Sequence, residues 1–286
     1  MNKPTTDPSK TIAFQGAEGA YSDVACRTTH PEMAPLACPS FEDAFTAVEE
    51  GKAKFAMLPI ENSLAGRVAD IHLLFAHSTL HIVGEYFQRV RHCLLAPKGA
   101  TVSGLQRVYS HVQALSQCRK TIRKLGLTPV VTADTAAAAA EVTKEGDASA
   151  AAIASELAAK IYRLDVLKRD LEDAEHNTTR FVLLAKEPAN PDPSDGTIIT
   201  SFIFSVRNVP AALYKALGGF ATNGINMSKL ESYMVDGKFA STQFYAEIEG
   251  HPEQKNVQLA FEELEFISRE VKLLGVYLAD PFRFEI

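Results

Sequence analysis

The sequence HNTTRFVLLA at residues 176–185 sets a polar turn in front of a buried strand, and a linker follows it directly. The apolar run Val182–Ala185 predicts the strand that closes a sheet. Lys186–Gly196 has the character of a linker, because it holds three prolines, one glycine and no apolar periodicity. A chain of 286 residues is long enough for two domains. The linker divides it into roughly 185 and roughly 90 residues.

The part before the linker alternates short apolar strands with helices of about ten residues, which predicts an α/β fold with a mostly parallel sheet. The predicted strands are Thr11–Phe14, Phe55–Pro59, Val108-Tyr109, Thr128–Thr132, Ala148–Ala154 and Val182–Ala185. The predicted helices are Tyr21–Thr29, Phe41–Glu50, Ile71–Ala76, His111–Leu125 and Thr135–Thr143. Predicted N-caps are Ser40 (supported by Asp43), Asp134 and Ser155. Leu80–Ala96 is predicted to be extended and could cross between two lobes.

The part after the linker follows the order β-α-β-β-α-β, which predicts a ferredoxin-like domain. Its predicted elements are Ile198–Val206, Val209–Ala221, Asn226–Val235, Lys238–Ile248, Pro252–Ile267 and Val271–Leu278. Pro210 suits the first turn of a helix, and Asp236-Gly237 is a strong hairpin signal between two strands.

The composition excludes several classes of protein. A net charge of −6 argues against nucleic acid or an anionic membrane as the main partner. No run of about 20 apolar residues could span a bilayer, and the N-terminus lacks the apolar segment of a signal peptide. The histidines show no zinc-binding spacing. The cysteines lie at positions 26, 38, 93 and 118, and we interpret them as reduced core thiols in a cytoplasmic protein.

Three polar clusters follow predicted strands, where a parallel α/β fold places its site. They are Gln15–Ser22, Glu61–Gly66 and Ser110–Gln113. The glycines of the first cluster could let backbone N–H groups approach an anion, or form only a tight turn with Ser22 as a helix cap. Ser63 could cap the next helix. His111 could be a general acid or only a donor at a helix start.

The turn at Asn177–Phe181 is a fourth cluster. Side chains alternate along a strand, so Thr179 and Phe181 should share one face and Arg180 the other. Two interpretations stay open. The cluster could bind an acidic substrate whose leaving group needs a proton, or Arg180 could form a structural salt bridge. If alternation holds, another arginine must anchor the substrate.

Taken together, these clusters resemble prephenate dehydratase. The family's motifs appear at Phe14–Ser22, Pro59–Val68, Ser110–Leu115 (with Val112 in place of proline) and Asn177–Phe181. The resemblance implies a two-lobed, periplasmic-binding-protein-like catalytic domain over residues 1–190. It also implies that prephenate loses CO2 and its ring hydroxyl to give phenylpyruvate in phenylalanine biosynthesis, with no cofactor and no metal.

The resemblance also implies the site residues. Thr179 would donate a proton to the leaving hydroxyl, with His111 or a water completing the relay, and Arg180 or another arginine would anchor the carboxylate that stays. The implied substrate-binding residues are Gln15, Ser22, Glu61, Asn62, Ser63, Ser110, Gln113, Asn177, Thr178 and Phe181.

Residues 197–286 resemble an ACT domain of the phenylalanine-sensing kind. The family's two motifs appear in altered form, with Ala211 in place of glycine and Tyr233-Met234 closing the second. The implied effector-binding residues are Asn208, Ala211, Ala212, Leu213, Asn226, Glu231 and Ser232. L-phenylalanine is the implied effector, and pairing through this domain predicts a homodimer or homotetramer. The alternatives are an arogenate dehydratase, a non-catalytic small-molecule sensor and, for this domain, a pure dimerisation module.

Overall fold

The computed structural model describes residues 7–207, 209–235 and 238–285. Its strands are β1 Thr11–Gln15, β2 Ala34–Cys38, β3 Phe55–Asn62, β4 Gly66–Arg67, β5 His81–Arg89, β6 Cys93–Ala96, β7 Arg107–Ser110, β8 Thr128–Val131, β9 Ala150–Ala154, β10 Asp165–Lys168, β11 Thr178–Ala185, β12 Ile198–Val206, β13 Met227–Val235, β14 Lys238–Glu249 and β15 Ser268–Leu278. Its helices are α1 Tyr21–Thr29, α2 Phe41–Glu49, α3 Ala69–His77, α4 Val112–Gln117, α5 Arg119–Lys124, α6 Thr135–Glu145, α7 Glu156–Tyr162, α8 Ala212–Thr222 and α9 Lys255–Ile267. The predicted α/β class is confirmed.

The chain forms two compact units. The first comprises Met1–Val68 with Tyr86–Phe181, and the second comprises Ala69–Glu85 with Val182–Ile286. The boundary between them falls inside β5 and β11. The division of the chain into domains at residues 1–190 and 197–286 stays a prediction.

One sheet has the order β2-β1-β3-β11-β5, with β4 paired to β3. Strand β1 runs parallel to both β2 and β3, which agrees with the predicted mostly parallel sheet, and four of its five residues are buried. Helix α2 begins at the predicted cap, where Ser40 and Asp43 form a reciprocal capping box. Strand β2 was not predicted, because it is a short edge strand that contains Pro35, and proline is tolerated in sheets chiefly at edges.

A second sheet, whose strands all lie in the first unit, has the order β10-β6-β9-β7-β8. Strand β7 is parallel to β8 and β9, whereas β6 is antiparallel to β9 and β10, so this sheet is mixed. Its faces carry two apolar clusters, and the alanines of α6 allow that helix to pack closely against one face. The helix predicted over His111–Leu125 is broken at Cys118, where the backbone leaves the helical region.

The C-terminal part of the second unit has the predicted order β12-α8-β13-β14-α9-β15. Its sheet has the order β13-β14-β12-β15, with every neighbouring pair antiparallel, which is the ferredoxin-like arrangement. Phenylalanines dominate its core, with Phe202, Phe220 and Phe261 in mutual ring contact. The hairpin residues Asp236-Gly237 lie outside the described residues.

A segment from the N-terminal half, Ala69–Glu85, belongs to the same unit. The Lys272 ammonium donates to three carbonyls near the end of α3, those of Phe75, Ala76 and Ser78, where a cation also complements the helix dipole. A Cβ at Gly275 would lie 2.0 Å from the carbonyl oxygen of Ile82, so this position requires glycine. The segment Leu80–Ala96 was predicted as one extended stretch. It contains two strands, β5 and β6, which belong to different sheets.

Two findings concern only the described residues. No helix among them is long and apolar enough to cross a bilayer. Nor do they contain a group of three or more His, Cys, Asp or Glu side chains arranged to hold a metal ion.

Candidate active site

Two of the predicted clusters meet where β3 and β11 lie side by side. The Ser63 N–H donates to the carbonyl of Thr178 at 2.9 Å. The Ser63 hydroxyl donates to the carbonyl of His176 at 2.7 Å and accepts from the Thr178 N–H at 3.0 Å. Ser63 therefore ties the two segments together, and the interpretation of Ser63 as a helix cap was wrong.

The Asn62 amide lies at the centre of the site. Its Nδ2 donates to Asn177 Oδ1 at 2.8 Å, to Thr179 Oγ1 at 3.0 Å and to the Thr178 carbonyl at 3.2 Å. Its Oδ1 accepts from the backbone N–H groups of Leu64 at 3.0 Å and Ala65 at 2.9 Å. The turn after β3 thus fixes which end of the amide faces Thr179.

The hydrogen bonds continue beyond the predicted residues. Asn177 is buried, and its Nδ2 donates to Gln117 Oε1 at 2.9 Å. Gln117 Oε1 lies 3.1 Å from His92 Nε2, and His92 Nδ1 lies 3.0 Å from the Tyr21 hydroxyl. We call the six side chains Thr179, Asn62, Asn177, Gln117, His92 and Tyr21 the amide chain.

Sequence reasoning missed three members of this chain. Gln117 lies one helical turn after Gln113, on the same side of a helix, so the spacing could have identified it as a site residue. His92 is a single histidine between Arg91 and the apolar run Cys93–Ala96, and Tyr21 opens α1, so neither carried a distinctive signal. Burial is the main cause that lowers the pKa of His92 and raises that of Tyr21. Both groups are therefore favoured in their neutral forms.

Arg180 and Glu61 lie on the other face of the two strands. The Arg180 guanidinium donates to Glu61 Oε1 at 2.9 Å, and its side chain is 3% exposed. It also lies 5.9 Å from the centre of the Phe87 ring. Thr179 bonds to Asn62 while Arg180 bonds to Glu61, which agrees with the predicted alternation. This geometry favours the structural salt bridge that the sequence left open. Phe181 is buried in β11.

In the turn after β1, backbone N–H groups that could have bound an anion donate to carboxylates of the protein. The N–H of Gly19 donates to Asp23 Oδ2 at 2.8 Å, and that of Ala17 donates to Asp134 Oδ2 at 3.3 Å. Gly19 has φ +92°, and a Cβ there would lie 2.8 Å from Cα of Ala158, so the turn needs glycine for conformation and packing. These contacts favour the tight turn over an anion site.

Two further residues of this first cluster were assigned to the substrate. Ser22 is buried inside α1, and the helix cap, Ala20, makes no side-chain hydrogen bond, so the interpretation of Ser22 as a cap was wrong. Gln15 is the last residue of β1 and is half-buried.

The cluster at the start of α4 is built differently from the prediction. Ser110 is fully buried, and its hydroxyl donates to the carbonyl of Ile153 at 2.6 Å. His111 is the N-cap, and its Nδ1 accepts from the N–H of Gln113 at 3.4 Å. These contacts favour the helix-start role of His111. Gln113 itself is exposed, and Gln117 is the residue of α4 that enters the amide chain.

A family model described as prephenate dehydratase matches residues 12–189. The chain belongs to the prephenate dehydratase family. It is 50% identical over 272 residues to a bifunctional N-acyl-homoserine lactone acylase/prephenate dehydratase from Komagataeibacter europaeus, covering 95% of this chain and 97% of that protein. It is 41% identical over 278 residues to the chloroplastic arogenate dehydratase/prephenate dehydratase 2 of Arabidopsis thaliana, covering 94% of this chain and 73% of that one.

A solved structure agrees with this family. Prephenate dehydratase from Arthrobacter aurescens, in complex with L-Phe, has a TM-score of 0.87 to this chain at 28% identity, covering 93% of this chain and 89% of that one. The predicted fold class and the predicted enzyme class, a prephenate dehydratase and hence a lyase, are confirmed.

The residues predicted to bind an effector are spread over the second unit. Asn208 lies outside the described residues. Ala211 is the N-cap of α8 and adopts left-handed backbone angles, with φ 60° and ψ 17°. Asn226 Nδ2 donates to Glu249 Oε1 at 2.7 Å, and Glu231 Oε1 lies 3.4 Å from Lys229 Nζ. The others are Ala212, which is buried, Leu213, which packs against the core, and Ser232, which is exposed.

Proposed function

We propose that the chain converts prephenate to phenylpyruvate, with Thr179 donating to the ring hydroxyl as it leaves. The hydrogen bond from Asn62 Nδ2 to Thr179 Oγ1 supports this role. A hydroxyl has one hydrogen and two lone pairs. Because Thr179 accepts from Asn62, its own hydrogen points to a different partner, and the substrate hydroxyl fills that place.

The reaction follows from bond changes in the substrate. The bond between the ring and its carboxylate breaks, CO2 leaves, and the electron pair enters the ring. The ring C–O bond breaks in turn, and the departing hydroxide takes a proton and leaves as water. Threonine is a weak acid, so solvent must replace the proton that Thr179 supplies. A positioned donor of this kind contributes about 10²–10⁴ in rate.

Neutral amides suit the carboxylate that departs. A salt bridge to that carboxylate would stabilise the ground state and oppose loss of CO2. The N–H groups of Asn62 are spent within the protein, and Gln117 Nε2, 3.5 Å from Asn62 Oδ1, is the uncharged donor we assign to this carboxylate. Arg180 is committed to Glu61, so we assign it a structural role and assign the anchoring of the remaining carboxylate to another arginine.

The substrate is tested by comparing prephenate with arogenate on the purified protein. The Arabidopsis relative is named for both dehydratase activities, and we propose prephenate because the relative with 50% identity is named as a prephenate dehydratase. We expect a higher kcat/KM for prephenate, measured by formation of phenylpyruvate. A preference for arogenate would overturn this assignment, and no turnover of either would favour the sensor.

The acylase activity in the name of the Komagataeibacter relative makes a second candidate function. An acylase needs an activated nucleophile or a metal-bound water. The hydroxyls of Ser63 and Ser110 both donate to backbone carbonyls, and the described cysteines are buried. An assay with an N-acyl-homoserine lactone tests this candidate, and we expect no hydrolysis.

We also propose that the C-terminal part is an ACT domain through which L-phenylalanine inhibits the enzyme. Its βαββαβ order and the L-Phe bound in the Arthrobacter relative support this. Removing residues 197–286 would be a poor test, because Ala69–Glu85 packs in the same unit. L-phenylalanine should instead slow turnover and raise the melting temperature of the full chain, and Glu231→Gln should weaken both effects. An unchanged response in Glu231→Gln would move the effector site elsewhere.

The remaining parts of the proposal are the assembly and its location. We assign catalysis to residues 1–190 and regulation to residues 197–286, with pairing through the latter in a cytoplasmic homodimer or homotetramer. Size-exclusion chromatography with light scattering tests the assembly, and a monomer would overturn it.

A further inference from the structure

His92 lies between Gln117 and Tyr21 in the amide chain and has no part in the mechanism above. The residue is 2% exposed. Its Nδ1 lies 3.0 Å from the Tyr21 hydroxyl and its Nε2 lies 3.1 Å from Gln117 Oε1. Its backbone N–H donates separately to Glu172 Oε2 at 2.9 Å. The imidazole can therefore be changed without removing that backbone contact.

The directions of the hydrogen bonds between Thr179 and His92 follow from the Asn62 amide. The N–H groups of Leu64 and Ala65 occupy Asn62 Oδ1, so the Nδ2 end of Asn62 must face Asn177 and Thr179. Asn177 Oδ1 therefore accepts from Asn62, which leaves Asn177 Nδ2 to donate onward.

The donor and acceptor roles at the next two residues follow from Asn177. Asn177 Nδ2 donates to Gln117 Oε1, so that oxygen acts as an acceptor. An acceptor 3.1 Å from His92 Nε2 requires a hydrogen on that nitrogen. A bare Nε2 would place two acceptors against each other inside the protein, at the cost of an unmade buried hydrogen bond.

We propose that His92 is a positioning residue for the dehydration reaction: an N–H on Nε2 holds Gln117 in place, and Gln117 in turn holds Asn177 against the Asn62 amide that donates to the Thr179 hydroxyl. The proposal rests on the proposed role of Thr179. Burial lowers the pKa of His92, so the imidazole is neutral near pH 7 and carries a single hydrogen. The Tyr21 hydroxyl donates to the Arg91 carbonyl at 2.7 Å, so with the imidazole hydrogen on Nε2 the bare Nδ1, 3.0 Å from the same hydroxyl, shares that hydrogen with the carbonyl.

Three variants separate the two nitrogens of His92. Phe keeps the ring shape without a donor, Gln places an amide near the Nε2 position, and Asn places one near the Nδ1 position. We expect His92→Phe and His92→Asn to lower kcat for prephenate about 10–100-fold with little change in KM, because misplacing a catalytic group costs up to about 10²-fold. His92→Gln should restore most of the lost kcat.

His30→Phe is the matched control. His30 is a partly buried histidine of the first unit, its pKa is also lowered by burial, and its Nδ1 contacts Thr29 outside the amide chain. Parental kcat in a folded His92→Phe enzyme would overturn the proposal. Equal losses in the Gln, Asn and Phe variants would also overturn it, because the contact with Gln117 would then be irrelevant.

A spectroscopic measurement covers the case in which the variants fold poorly. Nitrogen-15 NMR of the histidine-labelled parent protein reports the tautomer of each imidazole. We expect His92 in the neutral form with its hydrogen on Nε2, and a hydrogen on Nδ1 alone would overturn the proposal. Thr179→Ala distinguishes failure of the proposed role of His92 from failure of the proposed role of Thr179. If Thr179→Ala is inactive while His92→Phe is not, only the role of His92 fails, whereas an active Thr179→Ala overturns the proposed function of Thr179.

Discussion

Each of the two units buries a polar network, and the two networks differ in chemistry. The amide chain of the first unit joins uncharged side chains from Thr179 to Tyr21. In the second unit, Arg283 pairs with Glu85 at 2.6 Å and with Glu247 at 2.9 Å, both carboxylates having fully buried side chains. The Tyr245 hydroxyl also donates to Glu247. We call this second set the charged cluster.

The difference shows what each network can do. The Arg283 guanidinium only donates and the carboxylates only accept, so every pairing of their nitrogens and oxygens is attractive. The charged cluster therefore holds Glu85 of β5 to the C-terminal sheet whichever of these atoms meet. Amides have one donor end and one acceptor end. The amide chain therefore has a direction that can be transmitted to a hydroxyl, at a lower desolvation cost than ionised groups. We expect damage to the charged cluster to lower stability, and damage to the amide chain to lower activity.

The largest effect should follow from removing the cation of the charged cluster. Arg283→Met removes the guanidinium that pairs with two buried carboxylates, and breaking a buried ion pair costs about 3–5 kcal/mol in the free energy of unfolding. Urea denaturation measures this. The control is Arg169→Met, because the ion pair of Arg169 with Glu156 is about half exposed and should contribute about 0–1 kcal/mol. Equal effects of the two substitutions would contradict the comparison.

The second effect is on activity alone. Thr179→Ala should lower turnover of prephenate by at least about tenfold, equivalent to about 1.4 kcal/mol in the barrier, with little change in folding. Thr179→Ser keeps the hydroxyl and should keep most of the activity. Steady-state kinetics with a melting curve for each variant test this. Near-normal turnover in a well-folded Thr179→Ala enzyme would remove Thr179 from the mechanism.

A substitution of nearly equal shape tests the direction of the amide chain. In Asn177→Asp, one oxygen still accepts from Asn62, but the other faces Gln117 Oε1 across the 2.9 Å contact. Loss of this buried hydrogen bond should cost about 1–3 kcal/mol of stability and slow turnover. Asn177→Ser is the control, since it removes the amide without adding an acceptor there. If Asp behaves better than Ser, the chain has no required direction.

The smallest effect concerns a single backbone position in the second unit, away from the charged cluster. Ala211 adopts a left-handed conformation that strains a residue with a Cβ. Ala211→Gly should raise the free energy of unfolding by about 0.5–1 kcal/mol. Ala221→Gly, at an exposed position of α8, should instead lower it by about 1 kcal/mol. Urea denaturation of the two variants measures both changes and gives a scale for the effect of Arg283→Met. A loss of stability in Ala211→Gly would contradict the proposal that Ala211 is strained.

Much of the fold could be predicted because its signals are local. The caps at Ser40, Asp134 and Ser155 were predicted, and each accepts from the N–H three residues on. The C-terminal order of strands and helices follows from apolar periods and the linker. The end of the helix at Cys118 carried no proline or glycine signal. The edge strand β10 was missed because it is short and only partly buried.

Part of the site could be predicted as well. Motif spacing selected Asn62, Asn177 and Thr179, and the structure joins them by hydrogen bonds. Motif spacing also selected Ser110 and Ser22, but both side chains are buried. A motif identifies residue types at fixed spacing, and it does not say which way each side chain points. Gln117 and His92 enter the site only through contacts with residues distant in sequence.

The sequence by itself determined the elements, their caps and the alternation that separates Thr179 from Arg180, because these depend on neighbours within a few residues. Only the tertiary structure decided which polar groups meet. It joined Asn62 to Asn177 across 115 positions and paired Arg180 with Glu61. It also set Ala69–Glu85 in the unit that contains the C-terminal sheet. The physical reason is that a donor's direction depends on its partners' positions in space, and those positions exist only once the sheets have formed.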